Sequence, residues 1–323
     1  MKFIELATLW KDNSLRRKNI EQRTKEEYWD ILNHRVFPAI GDIPVSNLDG
    51  FVLDELVTTL MDKGYCTRTI SNTICVVRLI LKYAYRKGLI ESNPLSKMDD
   101  LPRNKKEDCI HYFTPAQCKL FLAELDNRNI VYKTMFYVLI YGGLRRGEVC
   151  VLRWSDVDFS NGTIHIRRAV SHTHDGLVIK TPKTAAGNRT ISLPAACFEL
   201  LEKLKEMDKS LGIDLAQGQD GYVFKEAKKG NRFVPPQQLT VEFKRIIKIH
   251  NRKSAVAEQL PNIRLHDLRH TSATLLISQN VDVETVARRL GHANPSITLN
   301  VYAHPTMEGD YRASKVMEEV LAL

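Results

Sequence analysis

The 323 residues contain no stretch approaching the ~18 consecutive apolar residues of a membrane span. The first segment, MKFIELATLWKDN, has no apolar run followed by a small-residue cleavage site, so no secretory signal is expected there. Both absences point to a cytoplasmic protein. Six cysteines, Cys66, Cys75, Cys109, Cys118, Cys150 and Cys197, are scattered without a CxxC pair. They are expected as reduced thiols, mostly buried, rather than as zinc ligands. No GxxxxGK[ST] loop occurs, so the sequence offers no nucleotide-phosphate cradle of that kind. His266 and His270 lie four apart, but Asp267 occupies the position that the HExxH zinc pattern gives to glutamate.

What is present is basic and unevenly placed. The net charge is +9. Residues 1–100 hold 15 basic and 14 acidic side chains, against 32 and 24 in the remainder. A basic excess of this kind favours a polyanionic partner, because each neutralised phosphate releases condensed counterions.

The periodicity changes along the chain. Thr24 and Glu27 have capping-box spacing, and Tyr28, Ile31, Leu32 and Val36 follow at helical intervals until Pro38. A second helix is expected from Phe51 to Lys63, stopping at Gly64. A third starts near Thr67, with Ile70, Ile74, Val77 and Leu81 on one face, and stops at Gly88. Ser92-Asn93-Pro94 then breaks the chain, and the charged, aperiodic stretch from Met98 to Asp108 reads as a linker. Helices are expected at 115–125 and 130–141. Strand-like segments follow at Thr163–Arg167, Leu177–Lys180 and Arg189–Leu193, separated by turns at His174-Asp175-Gly176 and Ala186-Gly187-Asn188. A single small antiparallel sheet accounts for them, and from Pro194 the chain returns mainly to helix. The fold class is therefore mainly α with a small antiparallel β-sheet (α+β). Near the end, Ala313, Val316, Met317, Val320 and Leu321 form an amphipathic stripe. Such a tail either folds back on its own domain or docks on a neighbouring subunit.

Four segments concentrate arginine, lysine, histidine and tyrosine: GGLRRGE at 142–148, TPKTAAGNRTISLP at 181–194, HDLRHTSAT at 266–274 and LGHANPSITLNVYAH at 290–304. Cleaving a phosphodiester by a side chain requires fixed cationic donors around the nonbridging oxygens, where charge builds during in-line attack. Arg145 and Arg269 suit that role, because guanidinium stays charged and binds such oxygens bidentately. A tyrosine nucleophile, with a pKa of about 10, costs ~4 kcal/mol to ionise at neutral pH unless assisted. His266 and His292 are candidates for that assistance, and Lys183 for protonating the departing sugar hydroxyl. Every role is filled without a metal or other cofactor.

Taken singly, each residue has a duller reading. Arg145 beside Arg146 is a solvated basic turn, Lys183 an exposed hairpin residue, and Tyr302 one of eleven tyrosines. Asp156 and Asp158 could open a two-metal cluster, but in WSDVDF they fit a turn entering a strand.

The four segments in this order resemble the motif set of the tyrosine recombinases, the phage-integrase family. GLRRGE resembles the first arginine box, with Gly142 where the family usually has threonine. TPKTAAGNRTISLP resembles the β-hairpin lysine segment, HDLRH the second box, and LGHANPSITLNVYAH the histidine-plus-tyrosine end. The helical first part, closing in IESNPL, is similar to the family's core-binding domain. The resemblance implies Arg145 and Arg269 as phosphate clamps, Lys183 as general acid, His266 in proton transfer, His292 as a hydrogen bond to the phosphate and Tyr302 as nucleophile. It implies a 3′-phosphotyrosine and a free 5′-hydroxyl, with Glu148 orienting its neighbours and His270 bracing its helix. The expected organisation is a two-domain DNA clamp: a helical core-binding domain at 1–98, a linker at 99–111 and a catalytic domain at 112–323, whose exchange helix spans about 311–323. Arg103, Lys105 and Lys106 are expected to track phosphates. Arg68, Ser71 and Asn72 are either DNA contacts or a plain solvent-exposed face. The implied partners are duplex DNA with specific recombination sites, three further copies in a tetramer, and accessory bending or excision factors. An additional arm-binding domain is expected to be missing from the start of the chain.

The implied function is integration or excision of a phage or other mobile element. A chromosome-dimer resolvase, a type IB topoisomerase and a noncatalytic DNA-binding protein are the alternatives.

Overall fold

The computed structural model describes residues 1–102, 111–182, 185–210, 221–226 and 232–294, and beyond these positions 296, 298, 311, 314, 315, 317–319 and 321. Its contacts divide the chain into two units: Met1–Asp108 with His172–Gly176, and Cys109–Ser171 with Leu177–Leu323. Among the described residues, no helix is long and apolar enough to cross a membrane.

The first unit is helical. Helix α1 (Phe3–Trp10) buries Phe3, Leu6, Ala7 and Trp10, which recur every three or four residues. Helix α2 (Gln22–Ile31) starts two residues before the expected cap. Glu21 O already accepts from the N–H groups of Thr24 and Lys25, so Thr24 sits inside the first turn and its hydroxyl has no capping role. The run does not stop at Pro38 either. It passes through one wide π-turn, Leu32–Val36, into α3 (Phe37–Ile40), where Pro38 lies in the first turn and its missing N–H costs no helical bond.

Helix α4 (Gly50–Asp62) is capped by Asp49, whose carboxylate accepts from Val52 N–H at 2.9 Å. Helix α5 (Thr67–Arg86) sorts its residues cleanly. Ile70, Ile74, Val77, Ile80, Leu81 and Ala84 are buried, while Arg68, Ser71, Asn72, Cys75, Arg78 and Lys82 are exposed. Gly64 and Gly88, both left-handed, follow these two helices.

The second unit is built around helix α7. Helices α6 (Pro115–Glu124) and α7 (Ile130–Gly142) begin at Thr114 and Asn129, each of which caps with its side chain. Helix α7 is apolar on most sides, with Met135, Phe136, Val138, Leu139 and Ile140 buried, as befits a central helix. Phe113, Phe121, Phe136 and Phe243 form an aromatic cluster with ring centroids 5.5–6.4 Å apart. The short α8 (Arg146–Cys150) follows.

The strands are β1 (Val157–Asp158), β2 (Thr163–Ile166), β3 (Ala169–Thr173), β4 (Gly176–Lys180) and β5 (Arg189–Ser192). They make two sheets rather than the expected one: antiparallel β1-β2-β5 and a separate ribbon β3-β4. Burial explains the split. Ile164 and Ile191 pair across β2 and β5 and are buried in the core, whereas Leu177 and Val178 of β4 stay exposed and only Ile179 packs against the core from the side. Helices α9 (Ala195–Ser210), α10 (Pro236–Lys253), α11 (Asp267–Ser278) and α12 (Val283–Leu290) complete the described part. The mainly helical α+β class expected from the sequence is what the chain adopts.

The bland readings hold for several polar groups. Asp158 caps a turn by accepting from the N–H groups of Ser160 and Asn161. Asp156 is buried against Arg167 and Arg168. Among the described cysteines, all free, Cys118, Cys150 and Cys197 are buried and Cys66 and Cys75 are exposed.

Candidate active site

Two glycines in the left-handed region set the local backbone. Gly143 (φ 63°) ends α7, and an added Cβ would lie 2.6 Å from Leu290 Cδ2 and 3.3 Å from Ser272 Oγ. Gly291 (φ 71°) ends α12, where a Cβ would lie 2.9 Å from Ala186 O. Neither position accommodates a side chain, so α7, α11, α12 and the 3-10 turn Ala185–Gly187 before β5 approach closely at one place. Gly142 is constrained by space: a Cβ there would meet Leu144 Cδ1 at 2.4 Å.

This close approach gathers the motif segments. Arg145 donates from Nη1 to Glu148 Oε1 (2.8 Å) and from Nη2 to Gly291 O (3.1 Å), and its backbone N–H donates to Glu148 Oε2 (2.8 Å). Arg269, on the first turn of α11, is buried and donates to Gly143 O at 2.9 Å. His292 follows Gly291, and its Nδ1 lies 2.8 Å from Thr298 Oγ1. The rings of His266 and His270 meet edge to face, 5.3 Å between centroids. Asp267, buried beneath them, accepts from Arg264, and its backbone carbonyl accepts from Thr271, whose hydroxyl in turn accepts from Phe113 N–H.

Electrostatics set the protonation states. Burial opposes ionisation of Glu148, but hydrogen bonds and charge from Arg189, then the charge of Arg145, outweigh it and hold the carboxyl below its usual range. His266 is exposed to solvent, yet desolvation by its neighbours, then His270 and Arg269, push its pKa down to about 4. Desolvation, then Arg269 and Arg145, do the same to His292, also to about 4. Both imidazoles are neutral at pH 7 in the free protein, beside guanidinium groups that stay charged.

The structure thus brings together Arg145, Glu148, His266, Arg269, His270 and His292 from three separated segments. Lys183 and Tyr302 lie outside the described residues, as do Arg103, Lys105 and Lys106. Arg68, Ser71 and Asn72 share the exposed face of α5.

Three residues escaped the sequence reasoning. Arg189, at the start of β5, reaches Glu148 with two nitrogens, at 3.1 and 2.9 Å. On α5, Arg78 and Lys82 extend the exposed stripe. Their signal was legible: positions 68, 71, 75, 78 and 82 recur at helical spacing, and α5 contains no acidic residue. For Arg189 no local signal existed.

Two anchored guanidinium groups and two neutral imidazoles at one place have the chemistry to bind an oxyanion such as a phosphodiester. The comparisons agree with that class. Residues 111–308 match the family model described as the phage integrase family, and the chain belongs to that family. It is 29% identical over 247 residues to the ICEBs1 integrase of Bacillus subtilis (strain 168), covering 76% of this chain and 64% of that protein. The transposase from transposon Tn916 of Enterococcus faecalis is 23% identical over 322 residues, covering 95% of this chain and 76% of its own length. Among solved structures, the Tn1549 transposon integrase in complex with a circular intermediate DNA superposes with a TM-score of 0.80 at 23% identity, covering 98% of this chain and 99% of that one. A lambda integrase dimer bound to a COC′ core site gives 0.68 at 16% identity, covering 93% and 95%. These two likenesses are of fold.

Proposed function

We infer that the chain is a site-specific DNA recombinase that cuts and rejoins duplex DNA for a mobile element. The single observation that carries the reading is the joining of Arg145 and Arg269 in one site, each tied to a backbone carbonyl of the other motif segments, with two neutral histidines beside them. The mobile-element assignment is supported by the integrases and transposases among its relatives.

In the proposed reaction the Tyr302 oxygen bonds to phosphorus as the bond from phosphorus to the 5′-oxygen breaks. His266, neutral beforehand, takes the phenol proton, and Lys183 supplies a proton to the leaving 5′-oxygen. Arg145, Arg269 and the His292 ring hold the nonbridging oxygens, whose growing charge the guanidinium groups offset. The resulting 3′-phosphotyrosine keeps the energy of the broken bond, and attack by a new 5′-hydroxyl releases the tyrosine. No metal ion or nucleotide enters this scheme.

The helical domain at 1–98 engages the duplex through the α5 face, the linker at 99–111 follows phosphates, and the catalytic domain at 112–323 performs the chemistry. A tetramer on two sites is the working form. Support for subunit docking by the tail comes from Met317 and Leu321, four residues apart and 56% and 61% exposed, hence uncovered by their own chain. The protein works on cytoplasmic DNA, with accessory bending or excision factors as further partners.

The test is covalent capture. A pool of nicked duplexes of randomised sequence is incubated with the protein and resolved on a denaturing gel. Wild type is expected to yield a protein–DNA adduct and Tyr302→Phe none. An adduct of equal yield in the variant would remove the nucleophile assignment.

A further inference from the structure

Arg189 is bound on several sides. Its Nε donates to Arg289 O (2.7 Å), its Nη1 to Gly187 O (3.3 Å) and Glu148 Oε1 (3.1 Å), and its Nη2 to Glu148 Oε2 (2.9 Å). Both oxygens of Glu148 are therefore shared between two arginines, because Oε1 also accepts from Arg145 Nη1 and Oε2 from the Arg145 backbone N–H. Exposure separates the two arginines: the Arg145 side chain is 40% exposed and that of Arg189 only 4%. The Arg145 fork is open to solvent, whereas the Arg189 guanidinium lies against the Glu148 carboxylate and spends two of its nitrogens on it.

We propose that Arg189 is a positioning residue for the arginine clamp, acting on the scissile phosphate only through Glu148 and Arg145. The bidentate pair fixes the carboxylate plane, and the carboxylate fixes the Arg145 fork. The same guanidinium binds the carbonyl end of α12 through Arg289 O, while Arg145 binds it two residues further on through Gly291 O. Arg289 in turn donates to Tyr141 O and Ser192 O, so α12 is held to the end of α7 and to β5. The first arginine box and the segment leading to His292 are thereby locked in one geometry around a single carboxylate. Lysine cannot replace this: a point ammonium does not span both oxygens of Glu148 and a carbonyl on the far side.

The proposal rests on the recombinase reading, and its test keeps the two apart. An adduct-forming duplex recovered with wild type is prepared with an ordinary scissile phosphodiester and with a methylphosphonate. In the latter a methyl group replaces one nonbridging oxygen and removes its charge. DNA affinity and the adduct rate at saturating DNA are measured for wild type, Arg145→Lys and Arg189→Lys. For Arg189→Lys, affinity close to wild type and a rate on the phosphodiester lower by about 10²-fold are expected, the scale for losing one fixed donor. On the methylphosphonate, where the clamp has less charge to offset, the deficits of both variants should shrink together. A wild-type rate for Arg189→Lys, or an equal deficit on both substrates, would overturn the proposal, since a merely structural defect is blind to the charge on the phosphate. If Arg189→Lys does not fold, the double variant Glu148→Gln/Arg189→Gln removes both buried charges at once, avoids an unpaired ion and decides by the same readout. Failure of the recombinase reading looks different: wild type forms no adduct, or Tyr302→Phe forms one.

Discussion

On α5, Arg68, Arg78, Lys82 and Arg86 project from an exposed face of a helix without a single acidic residue. In the second unit Arg189 and Arg269 are almost wholly buried, held by carbonyl oxygens and, for Arg189, by Glu148. The same residue type does two different things. An exposed cation on a flexible stem attracts phosphates at a distance, in a salt-dependent and geometrically tolerant way. A buried guanidinium locked by fixed acceptors offers little long-range attraction, but it holds its geometry while a transition state forms. Affinity is expected to reside mainly in the first region and rate in the second.

The largest test of that division is Arg269→Lys. Lysine keeps the charge and loses the fork, so the adduct rate at saturating DNA should fall ~10²-fold or more while affinity changes little. Equal losses of rate and affinity would erase the contrast. A smaller effect of the opposite kind is expected for the double variant Arg78→Ala/Lys82→Ala. Its saturated rate should match wild type, while the slope of log affinity against log salt should become shallower by about 1.8, at ~0.9 for each phosphate no longer neutralised. A slope unchanged by the substitutions would show that the α5 face does not meet DNA.

The smallest effect concerns protonation. With His266 and His292 lowered from 6.5 to about 4, the unfolded chain takes up protons first as pH falls. Their contribution to stability is complete above about pH 6.5 and is lost as pH drops toward about 4. A bound phosphodiester offsets the charges of Arg145 and Arg269, so ring titrations followed by NMR should move upward in the DNA complex. Free-protein titrations of both rings near 6.5 would mean that neither desolvation nor the neighbouring cationic groups act on them.

Much of the helical unit was legible because its signals are local. Asp49, Gly64 and Gly88 mark helix ends by capping and left-handed backbone, and the α5 stripe is a periodicity. Errors arose where local signals compete with neighbours. Thr24 and Glu27 had capping-box spacing, but the turn closed earlier on Glu21 O; Pro38 looked like a stop, but a π-turn placed it at a new helix start. Likewise β4 has strand composition, and nothing within it says that it pairs with β3 rather than joining the sheet of β2 and β5.

The sequence by itself determined the family, the helical class and the chemical types in the site, because side-chain chemistry and short spacings are written along one dimension. Only the tertiary structure decided that Glu148 serves two arginines and that Arg189 is one of them. Arg189 meets partners 41 and 100 residues away, and contacts across such separations follow from how helices and the turn before β5 close on glycines at 143 and 291, which no local pattern encodes.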